Sequence, residues 1–275
     1  MNGSIDSRLP IGVFDSGLGG LTVVKQIRRK FPDETIVYLG DNARVPYGTR
    51  SNGTIERYAR NCSRFLLDQG LKMLVVACNT VSAVAIPAIR EMTKIPVLGV
   101  IEAGADAVAF AGARRVGVIG TAGTIRSNAY PKKIKKRLPE CNVFQRATPL
   151  LVPLAEEGWI EGEVPELVTV HYLEELATEN IDVLLLGCTH YPLLVKTIKK
   201  TLHKLGSNAQ VVDSATAMAA SVGQILFERQ LNAQHKKNRP AKLTCHVTDR
   251  PESFEVVAAR FLGEMPGFVH QIDIA

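Results

Sequence analysis

The stretches Leu74-Val75-Val76-Ala77-Cys78-Asn79-Thr80 and Val183-Leu184-Leu185-Leu186-Gly187-Cys188-Thr189-His190 decide the fold of this chain. Each is an apolar run that ends in a thiol followed by small hydrogen-bonding residues. Such runs read as interior strands of a parallel sheet covered on both faces, each feeding a helix. Ligands of these sheets bind beyond the carboxyl ends of the strands. Two thiols are therefore expected at strand ends, with room for one molecule between them. A thiol that takes a proton and another that gives one back can invert a carbon centre.

Outward from these runs, strand-like and helix-like segments alternate, which predicts a mainly parallel α/β fold. Strands are expected at 11–14, 35–39, 73–77, 97–100, 115–119, 142–145, 183–186, 210–212 and 243–247. Helices are expected between them, among others at 21–30, 81–91, 127–137, 193–205 and 251–262. The chain also looks doubled. Ile11-Gly12-Val13-Phe14-Asp15-Ser16-Gly17 opens one half, and Val116-Gly117-Val118-Ile119-Gly120-Thr121-Ala122-Gly123 opens the other. The separation of Gly12 from Cys78 nearly matches that of Gly117 from Cys188. Two similar lobes related by a pseudo-two-fold would bring both thiols to one cleft between them.

The chain has 275 residues, long for a single core, so two lobes are also the expectation from length. The weakly polar stretch from Val97 to Ala113 is interrupted by Glu102 and Asp106 and does not read as a membrane span. No apolar run precedes Ile11, so no signal peptide is read and a cytoplasmic protein is expected. The five cysteines are odd in number, widely spaced and without a C-x-x-C pair, which argues against disulfides and against a metal site. Cys62, Cys141 and Cys245 read as inert core thiols. The net charge of +6 comes with short lysine clusters at 132–136, 199–200 and 236–237. They lack interleaved aromatics and read as solvated helix faces rather than a nucleic-acid surface.

Asp15-Ser16-Gly17-Leu18-Gly19-Gly20 is not a phosphate loop, because its spacing is wrong and Asp15 would sit beside the phosphate. It reads instead as a turn whose N–H groups and Ser16 hydroxyl receive a carboxylate, with Asp15 free for an ammonium or a proton. A plain helix cap is the bland alternative. Cys78 and Cys188 are each expected at a helix N-terminus, where partial positive charge lowers a thiol pKa from about 8.5. His190 can exchange a proton with Cys188. The polar loop Asp41-Asn42-Ala43-Arg44-Val45-Pro46-Tyr47-Gly48 can cover the cleft or be an ordinary surface turn.

Asp15-Ser16-Gly17-Leu18-Gly19-Gly20, Pro46-Tyr47-Gly48, Ala77-Cys78-Asn79-Thr80-Val81-Ser82-Ala83 and Leu186-Gly187-Cys188-Thr189-His190-Tyr191-Pro192-Leu193-Leu194 closely resemble the motifs of bacterial glutamate racemases. The resemblance runs in order from about Pro10 to about Phe261. It implies interconversion of L- and D-glutamate without a cofactor, supplying D-glutamate for peptidoglycan. It implies Cys78 and Cys188 as acid/base catalysts, Cys78 for D-glutamate and Cys188 for L-glutamate, assisted by Asp15 and His190. Ser16, Tyr47, Gly48, Asn79, Thr80, Thr124 and Thr189 would bind glutamate together with Asp15 and His190. Asp41 and Glu156 would lend acidic support. One lobe would comprise 1–98 plus 213–275, where the chain returns at Asp213-Ser214, and the other 99–212. A homodimer is implied as well. Some members carry an N-terminal extension tied to activation by a cell-wall precursor; with so few residues before the first strand, that control is not expected here.

The alternative within the same superfamily is a racemase for aspartate or another amino acid; beyond it stand a two-lobed amino-acid sensor, a nucleotide-binding protein and a pyridoxal enzyme. The first turns on pocket depth. A sensor would bind glutamate without solvent deuterium entering Cα. Micromolar nucleotide binding would support the third, and full activity without a cofactor absorbance would exclude the fourth.

Overall fold

The computed structural model describes residues 5–233 and 241–274. His235 and the basic pair Lys236-Lys237 lie outside them. The first half runs β1 (Ile11–Asp15), α1 (Leu21–Lys30), β2 (Ile36–Gly40), α2 (Asn52–Asp68), β3 (Met73–Val76), α3 (Asn79–Val84), α4 (Ile86–Arg90), β4 (Val97–Gly99) and α5 (Val100–Phe110). The second runs β5 (Arg115–Gly120), α6 (Ala122–Ser127), α7 (Ala129–Arg137), β6 (Asn142–Ala147), α8 (Leu151–Glu157), α9 (Glu163–Thr178), β7 (Val183–Gly187), α10 (Val195–Lys204) and β8 (Gln210–Asp213). The chain then returns through α11 (Ser214–Glu228), β9 (Leu243–Val247), α12 (Pro251–Leu262) and β10 (Val269–Gln271).

Two parallel sheets result, in the orders β10-β9-β2-β1-β3-β4 and β6-β5-β7-β8. The order β2-β1-β3-β4 of the first recurs as β6-β5-β7-β8 in the second, so the doubling read in the sequence is a doubling of topology. Cys78 follows β3 and Cys188 follows β7, the equivalent strands of the two sheets. Both faces of each sheet are buried. Leu21, Val24, Met218 and Phe254 cover one face of the first sheet, and Ile55, Leu66 and Ile86 the other. Leu173, Leu176 and Ile198 cover one face of the second, and Ile101, Val108 and Tyr130 the other. Helix α5 serves both lobes: Val100 and Ala103 join the first core while Ala105 and Val108 join the second.

Several expectations need correction. The helix expected over 81–91 is two helices that meet at Ala85, because Pro87 has no N–H and its ring crowds the carbonyl one turn earlier. The one expected over 127–137 is also two, divided at Asn128, whose φ of 53° is left-handed. Asparagine tolerates that conformation better than other residues with a side chain. His246 does not face outward: it is half-buried, edge-on to Phe65 of α2 with ring centroids 5.1 Å apart. Cys62, Cys141 and Cys245 are buried as expected, and burial pushes all three thiols up, Cys245 to about 12. Among the described residues no helix is long and apolar enough to cross a membrane.

Candidate active site

At the carboxyl ends of both sheets lies a cavity of about 270 Å3, lined from one lobe by Ser16, Gly17, Val45, Pro46, Tyr47, Gly48, Cys78, Asn79 and Thr80. The other lobe contributes Thr121, Val152, Glu156, Cys188, Thr189 and His190. This is smaller than the roughly 300 Å3 at which pockets for drug-sized ligands begin, and suits a small molecule. The two thiols expected at strand ends therefore share one chamber.

On the first lobe, Cys78 caps α3 and is buried. Its Sγ lies 3.3 Å from Ser16 Oγ. The helix terminus was expected to lower the thiol pKa, and here that expectation is reversed. Burial, reinforced by the nearby Asp15 carboxylate, pushes Cys78 up to about 12, against hydrogen bonds from Ser16 and the Val81 backbone. Cys78 is thus held as a thiol at neutral pH. Asp15 does not itself line the cavity. Its Oδ2 accepts the Gly17 N–H at 3.0 Å, so that turn donor is already engaged. Asp15 Oδ1 is buried with no hydrogen-bond partner among the described residues. Burial raises the Asp15 carboxyl, opposed by the charge of His190.

On the second lobe, Cys188 precedes a short 3-10 turn, Tyr191–Leu194, rather than an α-helix; the turn carries Pro192 at its start, and α10 begins only at Val195. His190 Nδ1 lies 3.7 Å from Cys188 Sγ, and Nε2 lies 2.9 Å from Glu156 Oε1. Burial works against a charged imidazole, but the Cys188 and Glu156 hydrogen bonds and charges outweigh it and raise His190 to about 10. Glu156, which the resemblance implied as acidic support, is thus in direct contact with His190.

The lobes are stitched together around the cavity. Thr80 Oγ1 lies 3.0 Å from Thr121 Oγ1 and 3.4 Å from Thr124 Oγ1, joining β3's loop to β5's. Thr22 Oγ1 of α1 donates to the Thr189 carbonyl at 2.9 Å. Gly19 permits that approach: a β-carbon there would come within 2.6 Å of His190 Nδ1. Asp41 stands behind the lining, bonded to Tyr47 Oη, to Arg44 Nε at 2.7 Å and to Thr248 Oγ1 at 2.9 Å. Thr124 likewise touches the site through Thr80. Sequence reasoning missed Thr121 and Val152, and it named the loops of Gly17, Val45 and Pro46 without assigning those residues to the site. Thr121 lies in the turn that opens the second half, at the position matching Ser16, and that match is its signal. Val152 gave no signal, because α8 itself went unread.

The Asp/Glu/Hydantoin racemase family matches residues 12–222. A glutamate racemase of Geobacter metallireducens is 48% identical over 265 residues, covering 96% of each chain. Among solved structures, the glutamate racemase of Francisella tularensis subsp. tularensis in complex with D-glutamate is 39% identical with a TM-score of 0.90, covering 97% of this chain and 98% of that one. The glutamate racemase of Thermus thermophilus in complex with β-chloro-D-alanine is 41% identical with a TM-score of 0.87, covering 98% of each. Paired thiols on equivalent strands, near-complete coverage and this level of identity agree, and the chain belongs to the glutamate racemase family of Asp/Glu racemases.

Proposed function

We infer that this enzyme interconverts L- and D-glutamate without a cofactor and so supplies D-glutamate for peptidoglycan. The observation that carries the reading is that Cys78 and Cys188, from equivalent strands of two like sheets, line one small cavity. With L-glutamate, the Cys188 thiolate takes the α-proton, the electron pair passes into the α-carboxylate, and the Cys78 thiol protonates Cα from the other face. With D-glutamate the roles exchange. His190 relays the proton of Cys188 and is itself held by Glu156. Asp15 Oδ1, buried and unbonded behind the cavity wall, suits the proton of Cys78 rather than the substrate ammonium. Ser16, Tyr47, Gly48, Asn79, Thr80 and Thr189 supply hydroxyl, amide and backbone donors for the carboxylates, Thr124 backs Thr80, and Asp41 fixes the Tyr47 loop. Such preset donors stabilise charge that builds on the α-carboxylate.

Among the described residues no lysine lines the cavity, which weighs against a pyridoxal Schiff base. Charge pairing weighs against a polyanion surface: Lys133 bonds Glu102 at 2.7 Å, Lys200 bonds Glu166 at 2.5 Å, and Arg137 pairs with Asp106. A cytoplasmic homodimer, with lobes 1–98 plus 213–275 and 99–212, completes the reading. The strand content of each sheet supports that division.

The test is circular dichroism of pure L- or D-glutamate and of L-aspartate incubated with the enzyme. Loss of the glutamate signal from either enantiomer, with aspartate unchanged, is expected. Turnover of aspartate alone would reassign the substrate, and binding of glutamate without turnover would make this a sensor.

A further inference from the structure

Tyr130 takes no part in the steps above, yet it lies buried where both cysteine loops meet. It belongs to α7, in the second lobe. Its hydroxyl donates to Asn79 Oδ1 at 2.6 Å, and Asn79 is the residue after Cys78. Its ring lies against Gly187, the residue before Cys188, where an added β-carbon would come within 2.8 Å of Cε2. Beside it, a β-carbon on Gly104 of α5 would stand 3.0 Å from Cε1 and 3.1 Å from the hydroxyl. Two glycines thus leave a slot for one ring. A buried phenol needs an internal partner, and the partner here is an amide that lines the cavity.

An asparagine amide has an acceptor end and a donor end. Oδ1 is taken by the phenol and Nδ2 donates one N–H to Ser214 Oγ at 3.5 Å, so the amide's second N–H is the one group it has left to offer the cavity. An anionic carboxylate is recognised by donors; a reversed amide would meet it with its own oxygen. We propose that Tyr130 is a positioning residue for glutamate: by holding the Asn79 carbonyl, it sets the Asn79 N–H as donor to a substrate carboxylate. The proposal rests on the reading above that Asn79 binds glutamate.

A kinetic double-mutant cycle tests it. Tyr130→Phe keeps the ring in its slot and removes the hydroxyl. KM for both enantiomers should rise about tenfold with kcat within about threefold of the original, the signature of lost ground-state binding. In an Asn79→Ala background the same change should add less than about twofold, because its target is gone. Gly104→Ala, which crowds the ring from outside the cavity, should reproduce the KM rise and the same dependence on Asn79, and it decides the matter if the phenylalanine variant does not fold. Unchanged KM in Tyr130→Phe overturns the proposal, even if the melting temperature falls. So does a loss that persists in full without Asn79, or an Asn79→Ala enzyme with ordinary kinetics. Failure of the functional reading shows separately, as a wild-type enzyme that does not racemise glutamate.

Discussion

The two thiols are alike in sequence setting and unlike in surroundings. Cys78 sits between Ser16 and Asp15 and is held as a thiol by burial, while Cys188 faces an imidazole that carries its proton up to about pH 10. Replacing either sulfur by oxygen leaves the shape but removes an acid/base group of suitable strength. Cys78→Ser and Cys188→Ser should each lower kcat in both directions by roughly a hundred- to ten-thousand-fold, with circular dichroism in the far ultraviolet unchanged. Glu156→Gln removes the charge that helps His190 keep its proton. If His190 must keep its proton for turnover, the alkaline limb of the kcat/KM profile is expected near pH 10 and should then move down by about one pH unit. A limb that stays in place would detach His190 from the rate. The sign for stability follows from the same shift. His190 binds its proton more tightly folded than unfolded, so its contribution is complete below pH 6.5 and fades as pH rises through about 10. Residue identities at the site were legible because strand-end thiols and turn residues keep their chemistry in any packing. The protonation of Cys78 was not, because sequence shows the helix terminus and hides the desolvation that outweighs it.

Elements were legible where periodicity and punctuation agree. Strand β9 and helices α1 and α12 fall where the pattern predicts, α12 opened by Pro251 and closed by Gly263 at a φ of 83°. Helix α8 escaped because seven residues with Pro153 inside resemble a loop, although proline is tolerated in a first turn. Strand β10 escaped because its three residues, one half-buried and two exposed, have no period; its pairing with β9 supplies what its sequence lacks. The return of the chain into the first lobe begins at Asp213, whose Oδ1 accepts the Thr216 N–H at 2.7 Å and caps α11. Asp213→Ala should destabilise the fold by about 1 kcal/mol, read as a lower urea midpoint with the same slope. An unchanged midpoint would mean that α11 is held by packing on α1 and α5 alone.

At the scale of the molecule, lobe arrangement matters because the cavity exists only between the lobes. The first lobe is assembled from two distant pieces of chain, and a buried ion pair helps join them. Lys72 pairs with Glu34 and bonds the carbonyls of Ser7 and Leu231, each at 2.8 Å. Both charged side chains are almost wholly buried. Lys72→Met should destabilise by about 3–5 kcal/mol, because Glu34 is left buried and unpaired; adding Glu34→Gln should recover part of the loss in chemical denaturation. The doubled topology was legible from the two opening turns and the two thiol runs. The hydroxyl stitching of Thr80, Thr121 and Thr124 was not, since it depends on how one lobe faces the other.

The claim on which all of this depends is that sulfurs on opposite faces of one carbon exchange its hydrogen. It is tested most directly in heavy water, by mass spectrometry of Cα in each glutamate enantiomer during the first turnovers. Starting from L-glutamate, the D-glutamate formed should carry solvent deuterium at Cα while the remaining L-glutamate keeps protium, and the mirror result should hold from D-glutamate. Product that retains the original hydrogen, or substrate labelled as fast as product, would contradict the account.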